Sequence, residues 1–466
     1  MHRRNLSAAA ILAAITLSMF SATPASAGQT LVVDDDGQQC GAGASRTIIA
    51  ALDRAVDGDT IKVCPGRYDG GIRVSKSVSI VGPVDALAEV ECLDPTPSQL
   101  GDLDVSRVAV VQPVVPTTEA TEPLLTLDAD GIELAGLVLQ GVDDVTSARL
   151  PTPENPAGYT VYTPAVLATD KHSGYQIHQN LIRLNFSLGL ELGSSGATTS
   201  RVHDNCFREN KWAVANQRQQ LVDAEVKKNT TYATSVLAYE IGWGLARTSG
   251  VTLKANISKD DSQTFQVEDS QDTTIVHNTV DRPIQVGVTI RAGNEHLRVI
   301  NNRITAGSNF TGGTGIAFRA PSTTAQQRSV DVVVESNTIT GFKTAANAGT
   351  GINVNSGSAT GARILDNVLS GNGLAGLVVN NGNTANLIRG NVANDNAQFG
   401  IRASASATDN AFVGNQMLNN GVGLDTGADA RDETDTNLAD GVQLLNTWTG
   451  NQCVKDSPSG AICGVE

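Results

Sequence analysis

The chain is 466 residues long, with a formal net charge of −15, 40% hydrophobic residues and only 4% aromatic ones. That sign excludes the basic footprint that phosphate binding requires, and with it nucleic acid as a partner. Beyond the N-terminus no stretch reaches the ~20 apolar residues of a spanning helix, so no membrane span is expected.

The first element in chain order is an export signal, residues 1–27. Arg3 and Arg4 precede the short apolar run AAAILAAITLSMF, and ATPASA ends in an Ala-x-Ala pattern, which places cleavage after Ala27. The mature protein is expected to be secreted and extracellular, where its six cysteines form disulfides. Cys40 and Cys64 are expected to pair within the N-terminal segment, and Cys453 and Cys463 to pair around a Ser-Pro-Ser-Gly turn. Cys92–Cys206 is left by elimination.

Residues 28–70 read as an N-terminal cap and first strand. VVDDDGQQC at 32–40 is only loosely like a calcium loop, lacking the spacing and the final Glu, and reads as a solvated turn. An amphipathic helical run follows from Ile48 to Val56, then DGD as a turn and TIKV as a strand. The body of the fold is expected over 71–446, with irregular Pro-rich excursions at 83–123 and 142–164, and residues 447–466 read as a C-terminal cap with Trp448 packed inside it.

From residue 177 onward one pattern returns about every 24 residues. An Asn falls at 180, 205, 229, 256, 278, 302, 337, 367, 391 and 415, with an apolar residue three before each, from Ile177 to Phe412. A Gly-apolar-x-apolar element follows: GLEL, GVTI, GIAF, GINV, GLVV. Apolar and polar residues alternate over three to five positions and are then broken by Asn or Gly, the signature of short strands and turns. Three such strands make a coil too small to bury its own inward side chains, so coils must stack. Asn tolerates the left-handed backbone of a sharp turn and carries both a donor and an acceptor. It is therefore expected at the turn itself, bonding from coil to coil as a ladder.

The capped opening and the Asn-marked coils resemble the right-handed parallel β-helix superfamily, the pectate-lyase-like fold and its NosD-like repeat proteins, over residues 46–446. The resemblance implies an all-β solenoid, and the residues add an N-terminal capping helix at Ile48–Val56 and a C-terminal tail closed by Cys453 and Cys463. It also implies a site on the outer face of one strand stack. It implies no single activity, because lyases, hydrolases, epimerases and proteins without known activity share the fold.

Taking the Gly-apolar-x-apolar strand as that stack, alternation points Glu191, Glu240, Gln266 with Glu268, Thr289 with Arg291, Arg319 and Asn353 outward, the register of Glu240 and Glu268 being left open. Longer repeat steps place insertions at 305–314, 320–330 and 341–350 beside it. Arg291 and Arg319 are nominated to hold a uronate carboxylate, with Glu240 and Glu268 as acid/base groups and Glu191, Gln266, Asn353 and Trp243 as substrate contacts. Asp260 and Asp261 are nominated as oxygen ligands for Ca²⁺. His178 and His203 are expected to stack on adjacent coils.

Signals of named classes are missing: there is no Gly-His-Gly or Asn-Thr-Asp of polygalacturonases and no Asp-Pro-His of alginate epimerases. The function expected is carbohydrate-active, on an acidic extracellular polysaccharide, by β-elimination or hydrolysis. The alternatives are a non-catalytic scaffold binding a cell-surface polymer, and an enzyme for a small molecule in a loop-covered cleft.

Overall fold

The computed structural model describes residues 28–463, apart from 42, 89–91, 93–102, 114–121, 142–163, 186–187, 234–240, 308–311, 322–326, 425 and 435–442. The expected export signal, nearly all of the 142–164 excursion and Glu240 lie outside the described residues.

Strands of mostly three to five residues follow one another three to a coil. In one coil these are Gln176–His178, Leu181–Arg183 and Leu188–Leu192, and each pairs in parallel with the equivalent strand one coil on. The result is three long parallel sheets, called first, second and third in the order the chain visits them. They have 15, 11 and 14 strands among the described residues. At ~4.8 Å per strand the rod is roughly 60 Å long. The architecture is a right-handed parallel β-helix. Inward residues from all three sheets, such as Ile177, Ile182 and Leu190, merge into one cluster that runs from Val33 to Ile462.

The recurring Asn forms the ladder expected. Asn180 Nδ2 donates to Asn205 Oδ1 at 3.0 Å, Asn205 to Asn229 at 2.9 Å, and the row continues through Asn415 to Asn451, one coil further than the sequence pattern was read. Each amide also caps a strand carbonyl; Asn278 Nδ2, for example, reaches Leu253 O at 3.0 Å. The turn itself is placed differently. The left-handed residue is the one before each Asn: Gln179, Asp204, Lys228, Ala255, His277, Asn301, Ser336 and Asp366 all have φ between 52° and 56°. The Asn cannot serve as the exposed turn residue because its amide must point inward to meet its neighbours.

A second ladder runs at the next corner, five residues further along the coil. Asn185 bonds Asn210, and Asn372, Asn396 and Asn420 bond in series. Its end is instructive: Asn420 donates to Asp429, whose other carboxylate oxygen accepts the backbone N–H groups of Val454 and Lys455. A carboxylate accepts without needing to donate, so it ends the chain of amides with nothing left unpaired.

The ends are covered. The helix Ile48–Arg54 is capped by Thr47, whose hydroxyl accepts the Ala50 N–H, and it buries Ile48, Ala51 and Leu52 against the first coils. At the far end Trp448 lies in the last strand of the first sheet, stacked on Phe412 at 3.9 Å. All three disulfides are present: Cys40–Cys64, Cys92–Cys206 and Cys453–Cys463. The 83–123 excursion is more regular than expected: it contains the helix Val84–Ala88 and the strand Ala109–Gln112, which belongs to the second sheet. Leu87 and Val108 pack on Val138 and Leu181 of that sheet's outer face, and Cys92–Cys206 pins the segment there.

Candidate functional site

The outer face of the third sheet carries two aligned columns of side chains. The first runs Glu191, Ala215, Gly244, Gln266, Thr289, Ala317, Asn353. Two residues further along each strand the second column contains Ala246, Glu268, Arg291 and Arg319. The last two follow Ile290 and Phe318, which pair directly, and their backbone N–H groups continue the ladder onto Val267 and Ile290. Glu268, Arg291 and Arg319 thus stand on three successive strands.

Arg291 Nη1 lies 3.7 Å from Glu268 Oε2, while Arg291 Nε is buried without a hydrogen-bond partner among the described residues. Arg319 makes no ion pair or side-chain hydrogen bond among the described residues. Partial shielding of its guanidinium, and after that the Arg291 charge, lower its pKa. Two like charges are therefore held a strand spacing apart, only one of them facing a carboxylate.

Glu191 points outward yet is only 2% exposed. Its Oε1 accepts the Arg218 backbone N–H at 2.9 Å. Burial raises its carboxyl pKa above the ordinary value, against the pull of that bond and of the Arg218 charge. Glu191 and Glu268 are three strand spacings apart, about 14 Å at ~4.8 Å per strand, and a further two residues apart along the strand. Gln266 is buried between Gly244 and Thr289, and Asn353 accepts the Asn380 amide at 2.7 Å.

Three nominations need correction, and a fourth, Glu240, lies outside the described residues. In the coil after Asn229 the Gly-apolar-x-apolar element is Gly242–Leu245, and Gly244 holds its outward position between Ala215 and Gln266. Trp243 is the inward residue of that element. It is fully buried and stacks on Phe265 at 4.7 Å, so no substrate can touch it.

Asp260 and Asp261, adjacent in sequence, point to opposite sides of the wall. Asp260 is engaged by Arg282 through two hydrogen bonds of 2.9 and 2.5 Å. Asp261 is inside the rod, in the slot that Asn185, Asn210 and Asn372 fill in other coils. Its Oδ2 accepts the hydroxyls of Ser258 at 2.6 Å and Thr231 at 2.5 Å. Burial pushes its pKa up to about 7. The two carboxylates cannot share a calcium ion. The turn at 34–36 is also engaged from within: Asp34 accepts the N–H groups of Gly37, Gln39 and Cys40.

The sequence reading missed Trp212. It is half-buried on the outer face and lies against Gly244 of the next coil. It also missed Arg402 and Arg431, which continue the first column, share Glu433 and lie over the Phe399 ring. His178 and His203 do stack, with ring centroids 4.8 Å apart, and His178 Nε2 lies 3.0 Å from Glu133 Oε1.

Two family models match the chain. One is described as periplasmic copper-binding protein (NosD) and covers residues 136–327; the other is a right-handed beta helix region over 305–447. No curated protein sequence matches significantly. Among solved structures, the chain is similar to the A-module of the mannuronan C-5 epimerase AlgE6 of Azotobacter vinelandii, at 13% identity over 90% of this chain and 98% of that one, with a TM-score of 0.42. It is similar to PfbA, a surface adhesin of Streptococcus pneumoniae, at 12% identity over 89% and 94%, with a TM-score of 0.47. It is also similar to the DFA-IIIase of Arthrobacter chlorophenolicus A6, at 12% identity over 73% and 88%, with a TM-score of 0.41.

Proposed function

Because the chain belongs to the right-handed parallel β-helix superfamily, we propose that it is an exported protein that takes an acidic polysaccharide along the outer face of its third sheet. The Arg291–Arg319 step carries this reading. Two guanidinium groups on neighbouring strands repel each other, and among the described residues Arg319 has no ion pair while Arg291 faces Glu268. A sugar carboxylate bound between them relieves that repulsion and occupies the partnerless Nε of Arg291. Three disulfides support a place outside the reducing cytosol.

Among the two chemistries, elimination fits better than hydrolysis. A hydrolytic carboxylate pair stands about 5–10 Å apart; among the described residues Glu191 and Glu268 are further apart than that, and Glu240 lies outside them. In elimination Glu268 takes the proton beside the sugar carboxylate. The electron pair closes a carbon–carbon double bond as the glycosidic C–O bond breaks, and water protonates the departing oxygen. Arg291 and Arg319 stabilise the charge that builds on the carboxylate.

One observation favours a second reading, binding without turnover. Glu268 is ion-paired to Arg291, so its carboxylate is already engaged within the protein. The small-molecule alternative has less support: the cavity of about 340 Å³ beside the Cys92–Cys206 disulfide lies against the second sheet and not over this column.

The test is incubation of the purified protein with a panel of uronate polymers, with and without calcium. Ultraviolet absorbance of the new double bond and the release of reducing ends are followed together. Turnover lost in Arg291→Ala supports elimination. Binding without turnover, lost in the same variant, supports the second reading. Neither binding nor turnover on any polymer overturns both.

A further inference from the structure

A second positively charged feature lies on a different face of the rod. Arg208 occupies an outer position on the second sheet, aligned with Arg183 on one side and Tyr232 on the other, and then with Lys259. It is only 2% exposed, and among the described residues its Nε and Nη2 atoms are both buried without a hydrogen-bond partner. Those two atoms form the edge of a guanidinium group that receives a carboxylate through two parallel hydrogen bonds. Arg183, the equivalent residue one coil earlier, has the same edge filled: its Nε and Nη2 both donate to Gln140 Oε1, at 3.1 and 2.6 Å. One buried fork is therefore occupied and the next is not.

The surroundings suit an anion. Arg208 lies 5.3 Å and Lys259 Nζ 5.4 Å from the centre of the Tyr232 ring, which stands between two cations. Burial lowers the Arg208 pKa, and the charges of Glu209 and Tyr232 oppose this. Two residues back along the same strands, on the same outer face, Cys206 and Thr230 line the cavity of about 340 Å³ together with Val84, Leu87 and Leu181. A hollow that is part apolar and part polar, lined also by Asn180, Asp204 and Lys228, thus begins two residues, about 7 Å, along the strand from the unfilled guanidinium edge.

We infer that this face of the second sheet binds a small organic carboxylate, its two oxygens on the Nε–Nη2 edge of Arg208 and its apolar body beside Tyr232 and Leu87. Retaining a buried guanidinium with an empty edge is otherwise strongly destabilising, because the charge has left water and gained nothing in exchange. The inference does not depend on the proposed polysaccharide site, which uses the third sheet.

The test is thermal unfolding of the full mature chain in sodium isobutyrate, acetate and chloride at one ionic strength, with calorimetric titration of isobutyrate. Expected is a saturable rise in Tm, larger for isobutyrate than for acetate and missing in chloride. Arg208→Lys keeps the charge but not the fork, and should weaken isobutyrate at least tenfold. Arg208→Met should abolish the response, and Arg319→Ala should leave it intact. The idea fails if wild type shows no response beyond chloride, or if Arg208→Lys responds as wild type does. Should Arg208→Met not fold, the lysine variant alone decides.

Discussion

Trp212 lies flat against Gly244 of the following coil: a methyl group on Gly244 would stand 2.4 Å from Cζ3 and 2.6 Å from Cε3 of the indole. The glycine is what lets an aromatic ring rest on the outer wall of the third sheet. Gly244→Ala should therefore lift Trp212 into solvent and cost about 1–3 kcal/mol through overpacking. A lower Tm with a red shift in tryptophan emission is the expected result, since Trp243 is sealed in the core and Trp448 is stacked at the far end. Unchanged emission would show that the ring is held by something else.

Asp261 should make the rod less stable as pH rises. Its pKa in the folded chain is about 7, above the ordinary value of 3.8. Its contribution is fully present below about pH 4 and is lost progressively as pH rises through 7. Asp261→Asn places there the amide that Asn185, Asn210 and Asn372 supply in other coils. Near pH 8 the variant should be more stable than wild type by on the order of 2 kcal/mol, and the gap should close toward pH 4. Denaturant unfolding of both proteins across that range measures it. A gap independent of pH would rule out titration of Asp261 as the cause.

The turn before each ladder Asn predicts a stabilising change. Ala255 holds φ of +52° with no hydrogen-bonding side chain to compensate. Ala255→Gly should stabilise by about 1 kcal/mol. Gly390→Ala should do the reverse and more, because its new methyl would meet Asp366 Oδ1 at 2.1 Å. Thermal denaturation of the two variants should move in opposite directions.

Arg319→Ala should separate binding from folding. Its side chain is exposed at the surface, though partly shielded, and forms no ion pair among the described residues, so Tm should change little. Loss of a charge-assisted bond to a sugar carboxylate is worth about 1.5–3 kcal/mol, which reads as a tenfold or greater loss of affinity for an oligouronate. Equal affinity in wild type and variant would remove Arg319 from the site.

Particular residues show where sequence reading works and where it stops. Glu191, Arg291 and Arg319 were legible as outward because a strand alternates and the Gly-apolar-x-apolar element marks its phase. Trp243 was misread although the signal was present: Gly242-Trp243-Gly244-Leu245 is that same element, and it puts the indole inside. Trp212 was hidden by a break in alternation. Ala213 and Val214 both reach the main core, so the residue before them faces out where strict parity would face it in. Asp260 and Asp261 were paired because they are adjacent, but a left-handed residue at Asp260 sends the two side chains to opposite sides of the wall.

The sequence by itself determined the winding: one Asn about every 24 residues, with an apolar residue three before it, can be satisfied only if coils stack, because neither the amide nor the apolar side chain finds a partner within one coil. Tertiary structure alone decided which outer residues become neighbours. Arg291 and Arg319 are 28 positions apart in the chain and one strand apart in space. The buried fork of Arg208, the indole resting on Gly244 and the carboxyl enclosed at Asp261 all depend on a coil above or below, and spacing along the chain carries no record of what that coil places there.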